Sequence, residues 1–561
     1  MMKISIAQQN YHIGNFEYNT AKIISAIEQG KKENADIIIF SELCVCGYPP
    51  RDFVEFSDFI NKCYKAIDEI RQHADTIGVL IGAPAFNPNP EGKDLFNAAF
   101  FLYEKEIKAE IHKTLLPTYD VFDEYRYFEP AFTWNVVEFK GKKLAITVCE
   151  DIWNLGDNPL YRICPMDALM LQQPDVMLNI SASPFDYTHH EDRKAVIKLN
   201  VLKYKLPMFY CNTVGSQTEI IFDGSSLVFD KDGNLCKMLP MFKEAVETVV
   251  LNDDGTVDAP VIEKAEYLPD AELQVKEFQP ALNLHMIYEA LVLGIRDYFN
   301  KMGFTKAILG SSGGIDSALV LALACEALGA ENVRAVLMPS PYSSEHSVND
   351  AVQLSKNLGN PYDIIHINDI YEQFLTTLKP VFKDLPFSVA EENIQSRTRG
   401  NILMAMANKF GYVLLNTSNK SELATGYGTL YGDMAGGLSV LGDCYKSQIF
   451  ELVKYINRDK EIIPNNILIK PPSAELRPGQ KDTDSLPDYA ILDTILYQYI
   501  ERRLGPGEIK SLGFDSALVD RILKLVNTNE YKRNQFCPII RISEKAFGIG
   551  RRVPIVGKYL A

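Results

Sequence analysis

Gly310-Ser-Ser-Gly-Gly-Ile-Asp-Ser317 follows the apolar triplet Ala307-Ile308-Leu309 and runs directly into the apolar stretch Ala318 to Leu328. Strand, Gly/Ser turn and helix in that order are the unit of a doubly wound α/β sheet. Such a turn aims backbone N–H groups at one point, backed by the positive end of the helix dipole, and its glycines let a phosphate approach the backbone. The loop has neither the Gly-Lys-Ser/Thr ending of a Walker A loop nor Rossmann spacing. Asp316 instead places a carboxylate beside the phosphates, where a Mg²⁺ needs oxygen ligands.

Working outward, Val333–Met338, Ile364–Ile367 and Val413–Asn416 read as further parallel strands, with helices after Leu284 and over Ser344–Leu358. Before them, residues 1–250 alternate short strands (Ile37–Phe40, Val79–Ile81, Leu144–Val148, Val176–Ile180, Met208–Cys211) with helical patterns such as Thr20–Gln29. Phe222 to Gly233 reads as strand and hairpin turn, with Asp-Gly as the turn signal. Residues 251–283 turn acidic and Pro-interrupted, including Leu268-Pro-Asp, and read as the connector to a second domain over 284–561.

The composition is that of a globular protein, 47% hydrophobic and 23% charged, and the net charge of −16 opposes nucleic-acid or anionic-membrane partners. No apolar run approaches the roughly 18 residues of a membrane span, and the N-terminus has no signal-peptide pattern. Ten sparse cysteines without a Cys-x-x-Cys pair support neither a zinc site nor a disulfide framework, so a cytoplasmic location is expected.

The Gly310–Ser317 loop resembles the pyrophosphate loop of the N-type ATP pyrophosphatases, which cleave ATP to AMP and pyrophosphate. Glu422 in Asn416-Thr-Ser-Asn-Lys-Ser-Glu422 is an acid suited to share the metal with Asp316, and Thr417 to hold ATP. Lys446 in Gly442-Asp-Cys-Tyr-Lys-Ser-Gln448 is a candidate phosphate cation.

In the first half, three residues of complementary chemistry follow strands. Glu42 lies in Ser41-Glu-Leu-Cys-Val-Cys-Gly-Tyr-Pro49, Lys113 in His112-Lys-Thr-Leu-Leu-Pro117 and Cys149 in Val148-Cys-Glu-Asp-Ile-Trp153. Singly, they read as an exposed strand-end acid, a solvated lysine and a buried thiol. Together with their flanks they resemble the nitrilase superfamily, which implies an α-β-β-α sandwich with Cys149 as nucleophile, Glu42 as general base and Lys113 as oxyanion stabiliser. The chemistry needs all three, because a thiolate attacks an amide carbon and a thiol does not.

Lys113 to Phe128, Asn179-Ile-Ser-Ala-Ser-Pro-Phe185 and Val214-Gly-Ser-Gln217 resemble the glutaminase branch attached to NAD synthetases. By that resemblance Tyr119 and Ser183 contact glutamine and Glu124 is a second carboxylate near the trio. The family carries Lys or Arg six residues after Ser183, where this chain has His189, so the carboxylate contact falls to His189, His190 or Arg193.

The second half resembles NAD synthetases over nearly its whole length, most strongly in Glu422-Leu-Ala-Thr-Gly-Tyr-Gly-Thr-Leu-Tyr-Gly-Asp433. Pro471-Pro-Ser-Ala-Glu-Leu-Arg-Pro478, Gln480 to Pro487 and Tyr531-Lys-Arg-Asn-Gln535 support it. The resemblance implies that Gly310, Ser311, Ser312, Gly313, Gly314, Ile315, Asp316, Ser317, Thr417, Lys446 and Ser473 contact ATP. Asn393, Arg397, Glu422 and Lys532 would contact deamido-NAD⁺, Asp316 and Glu422 would hold Mg²⁺, and the chain would form a homo-oligomer. The implied activity is ATP-dependent amidation of deamido-NAD⁺ with ammonia from L-glutamine. The rivals are another ATP-pyrophosphatase amidotransferase, or a nitrilase-type amidase whose second half binds nucleotide as a regulator.

Overall fold

The computed structural model describes residues 1–89, 91–155, 159–265, 277–473, 475–477, 479–480 and 486–560. The chain divides into two compact units, Met1–Phe185 with His189–Leu273, and Asp186–Thr188 with Gln274–Ala561.

The first unit stacks two sheets face to face. One has the strand order Val257–Asp258, Ala245–Leu251, Met2–Gln8, Ile37–Ile39, Gly78–Phe86, Leu95–Tyr103, Glu106–His112. The other runs Leu235–Met238, Leu227–Phe229, Met208–Asn212, Val176–Ser181, Lys142–Val148, Val137–Phe139. Between them lies one core in which Ile4, Ile6, Ile39 and Leu80 meet Leu144, Ile146, Leu178 and Phe209. Helices Phe16–Lys32 and Ser57–Arg71 pack on the first sheet, and Pro165–Met170 and His189–Tyr204 on the second. Central strands are therefore covered on both faces, which is why Met2–Gln8 and Val176–Ser181 are buried along nearly their whole length, polar Ser5, Gln8, Asn179 and Ser181 included. The expected α-β-β-α sandwich is present. Val257–Asp258 pairs with Ala245–Leu251, so the first sheet extends into the segment read as connector; Leu268–Asp270 lies outside the described residues.

The second unit is built on a parallel sheet ordered Tyr362–Ile364, Val333–Leu337, Ala307–Gly310, Val413–Asn416, Leu438–Ser439. Sequence order reverses between Ala307–Gly310 and Val413–Asn416, opening a crevice at their carboxyl ends. The Gly310–Ser317 and Asn416–Glu422 loops leave from that point. Helix Ile315–Leu328 is buried all round from Ala318 to Cys325 because helices Leu284–Met302, Glu345–Leu358 and Lys446–Ile456 enclose it against the sheet. Two strand readings needed correction. The strand expected at Ile364–Ile367 is Tyr362–Ile364, set by its pairing with Ala335–Leu337, and the short Leu438–Ser439 strand was not anticipated.

Candidate active sites

In the first unit, Glu42 follows the strand Ile37–Ile39, where Gly82 lets its loop press on the neighbouring strand; a Cβ there would lie 2.3 Å from Leu43 N. Lys113 leaves the end of Glu106–His112, and Cys149 begins the turn after Lys142–Val148 with φ of 44°. A non-glycine residue in that left-handed region is strained, a recurring property of nucleophile turns. Far from being exposed, Glu42 and Lys113 are buried. Lys113 Nζ lies 2.7 Å from Glu42 Oε1 and 2.8 Å from both oxygens of Glu124.

More donors converge on these carboxylates. Ala182 N donates to Glu42 Oε2 at 3.0 Å, and Tyr48 donates to Glu124 at 2.9 Å. The Asn97 amide bridges both, at 2.7 Å to Glu42 and 3.2 Å to Glu124. Burial pushes the Cys149 thiol well above its ordinary range, and the negative charge of Glu42 adds to it while Lys113 opposes. The resting sulfur is thus a thiol whose proton must leave before attack. Burial also pushes Glu124 up, against the pull of Lys113. For Lys113 burial acts downward, but the charges of Glu124 and Glu42 prevail and hold its ammonium well above the usual lysine range. Asp151 knits the two strand ends together, accepting from Thr114 N and Leu115 N beside Lys113 and from Val148 N beside Cys149.

Next to Cys149, the buried Glu150 carboxyl accepts from Tyr119 at 3.0 Å and from Tyr161 at 3.1 Å. Ser183 Oγ is 3.2 Å from His189 Nε2, and the His189 ring stacks on Trp153 with centroids 5.0 Å apart. A carboxyl flanked by phenols and an imidazole beside a hydroxyl supply the two complementary partners that an amino-acid zwitterion needs. His190 and Arg193 are engaged elsewhere. Arg193 donates to Asp223 at 2.9 Å and to Gly224 O, and burial, with Arg193 nearby, lowers His190 to about 4. Of the three cation candidates, His189 is the one beside Ser183. In the sequence Glu150 is marked only by its adjacency to Cys149 and Trp153 only as the end of the same stretch, while Tyr161 carries no signal.

In the second unit a cavity of about 280 Å³ opens at the sheet crevice, lined by the whole Gly310–Ser317 loop and by Thr417, Glu422, Lys446 and Ser473. Gly313 has φ of 76°, and a Cβ there would sit 2.2 Å from Ser347 O, so the turn requires glycine. The buried Ser311 hydroxyl has no hydrogen-bond partner among the described residues. Lys446 Nζ lies 2.5 Å from Asp316 Oδ2, while Asn419 Nδ2 donates to Asp316 Oδ1 at 2.9 Å. Asn419 N also donates to Glu422 at 3.2 Å, so one asparagine links the two acids. Behind them Asp493, unmarked in the sequence, accepts from Ser447 N at 2.8 Å and from the Ser421 hydroxyl, which itself accepts from Lys446 N. Burial pushes Asp493 up to about 6.

Three expected residues do not line this cavity. Asn393 accepts from Thr429, Arg397 donates to Leu430 O, and Lys532 donates to Gly426 O and Gly428 O. All three gather around the Gly426–Asp433 loop, whose Tyr427, Gly432 and Asp433 do reach the cavity; Arg399 lines it directly. Ala474, Pro478 and 481–485 of the later motifs lie outside the described residues.

Family models match both halves: carbon-nitrogen hydrolase over residues 3–257 and NAD synthase over 287–536. A Synechocystis sp. protein named glutamine-dependent NAD(+) synthetase is 43% identical, covering 99% of this chain and 98% of its own. Its namesake from Thermotoga maritima is 41% identical over 100% and 99%. The solved structure of glutamine-dependent NAD+ synthetase from Acinetobacter baumannii in complex with ADP superposes with a TM-score of 0.76 at 38% identity, covering 99% of this chain and 98% of that one.

Proposed function

Because this chain belongs to the family of glutamine-dependent NAD(+) synthetases, we infer that its two candidate sites divide one reaction between them. The reaction is ATP-dependent amidation of deamido-NAD⁺ with nitrogen from L-glutamine, yielding NAD⁺, glutamate, AMP and pyrophosphate. The observation that carries the division of labour is the pair of unlike sites in one chain. One is a buried thiol–carboxylate–lysine cluster, and the other a glycine-turn cavity with Lys446 against Asp316.

In the first unit, Glu42 takes the Cys149 proton as sulfur attacks the glutamine carboxamide. Lys113 stabilises the oxyanion; a preorganised donor of this kind contributes about 10²–10³ in rate. Collapse expels ammonia and leaves a thioester on Cys149, which water hydrolyses to glutamate. Glu150 with its two tyrosines receives the α-ammonium group, and Ser183 with His189 receives the α-carboxylate.

In the second unit, the loop N–H groups and Lys446 hold the ATP phosphates, and Thr417 and Ser473 line their bed. The deamido-NAD⁺ carboxylate attacks the α-phosphorus, giving an acyl-adenylate and pyrophosphate; ammonia then displaces AMP. Asn393, Arg397 and Lys532 shape the Gly426–Asp433 loop on the dinucleotide side. The donor set suits Mg²⁺, which favours one or two carboxylates together with phosphate oxygens: Asp316 and Glu422 would hold it, neutralising charge on the leaving pyrophosphate. We place the enzyme in the cytoplasm as a homo-oligomer. Its free cysteines and exposed Phe374, Val381 and Leu385 support this, and light scattering tests the assembly.

The roles are tested by nitrogen source. Cys149→Ala should abolish glutamine-driven NAD⁺ formation while ammonium still supports it, and Asp316→Ala should stop synthesis from either source. Loss of both activities in a folded Cys149→Ala protein overturns the assignment.

A further inference from the structure

Glu42 and Glu124 present two buried carboxyls to a single lysine, and something must make them unequal if Glu42 alone is to take the thiol proton. Asn97 stands between them. It lies on the strand Leu95–Tyr103, fully buried, and its one NH₂ group sends a hydrogen to each carboxyl, 2.7 Å to Glu42 and 3.2 Å to Glu124. Its main-chain oxygen accepts from Lys113 N at 2.8 Å, so the same residue also registers the lysine. Its Oδ1 has no hydrogen-bond partner among the described residues, so the amide is oriented by its donor side, and the flipped orientation would set an oxygen against two acids.

The donor set around each acid differs. Glu42 has the shorter Asn97 bond, Lys113 and the Ala182 amide; Glu124 has the longer Asn97 bond, Lys113 at both oxygens and the Tyr48 hydroxyl. The other titratable groups facing the pair are Cys149, Glu150 and Tyr161. We propose that Asn97 is a positioning residue of the amidase site: its bridging amide holds the two carboxyls apart in role, fixing Glu42 as proton acceptor for Cys149.

This rests on Cys149 and Glu42 being nucleophile and base. If Cys149→Ala still turns over glutamine, that reading has failed, whatever Asn97 does. The test compares Asn97→Leu and Asn97→Asp in the full-length protein, each checked for an unchanged melting temperature. Measured are glutamine kcat and KM from pH 5.5 to 9, and the rate of Cys149 alkylation by an electrophilic glutamine analogue. Asn97→Leu should lower kcat about 10²-fold, the scale of a general base's contribution, with KM changed less than threefold. Asn97→Asp, the same size but a third acid above its pKa, should be worse than Leu at pH 8. It should overtake Leu toward pH 5.5, as protonation returns a donor to the bridge. Alkylation should fall in parallel with kcat. Equal effects of Leu and Asp at every pH, or a change confined to KM, overturn the proposal. Should both variants melt early, Asn97→Ser, which keeps one donor in a smaller side chain, must fall between wild type and Leu, and failure to do so also overturns it.

Discussion

Replacing Lys420 by Met should destabilise the second unit through charge rather than shape. Its ammonium is fully buried, 2.9 Å from Asp443, 2.8 Å from Glu501 and 2.8 Å from the Ser543 hydroxyl. Met matches the stem closely, so the main loss is the cation between two buried acids. Breaking such a cluster costs about 3–5 kcal/mol, on the order of 10 °C in melting temperature. The acids differ in what remains to them. Asp443 keeps Ile542 N, Ser543 N and the Ser543 hydroxyl, whereas burial already pushes Glu501 up to about 7 with the lysine in place. A carboxyl raised in the fold holds its proton there at a pH where the unfolded chain has released it. Stability therefore falls as pH rises from the unfolded value of about 4.5 through 7. Without Lys420 that slope steepens, so the Lys420→Met penalty should be largest near pH 8 and shrink toward pH 5.5. Adding Glu501→Gln should recover about 2 kcal/mol at pH 8, the coupling expected of residues in one network. Urea unfolding of wild type, Lys420→Met, Glu501→Gln and the double variant at both pH values is the assay. A penalty independent of pH, or a double variant no more stable than Lys420→Met, refutes the argument.

Other perturbations follow from single positions. Gly313→Ala forces a side chain into φ of 76° against Ser347 O; pyrophosphate release should fall more than about 10²-fold. Near-wild-type release would mean the loop tolerates displacement. Glu150→Gln leaves both tyrosine hydroxyls an acceptor but removes the charge, so glutamine kcat/KM should drop about 10–100-fold, mostly in KM. A change in kcat alone would take the α-ammonium group away from Glu150.

The glycine loop, the short motifs around Glu42, Lys113 and Cys149 and the strand–helix rhythm were legible because each is a local pattern. A Gly/Ser turn between apolar runs has few backbone solutions, and a near-continuous apolar stretch must be covered on both faces. Element ends depended on partners instead. Ile365–Ile367 is as apolar as Tyr362–Ile364 and its Ile365 N and Ile367 N still reach Leu337 O and Pro339 O, yet the ladder ends at Ile364 because Pro339 has no N–H to return, and Val257–Asp258 is a strand only because Ala245–Leu251 offers it an edge.

By itself the sequence determined the parallel sheet and the residues whose chemistry is unusual for their setting (a thiol after a strand, an acid in a glycine turn), while the sandwich came from the resemblance those residues carry to the nitrilase superfamily. Only the tertiary structure decided which polar neighbours serve them. Lys113 and Glu42 are 71 positions apart in the chain but 2.7 Å apart in space. Asn97, Asp151, Glu150 and Asp493 are ordinary letters that matter for the donors and acceptors they meet. It also drew Arg193 into a buried pair with Asp223, leaving His189 beside Ser183, and gathered Asn393, Arg397 and Lys532 around one loop. The physical reason is that a buried hydrogen bond depends on positions and directions in three dimensions, set by strands distant in the chain, and no local window of sequence contains them.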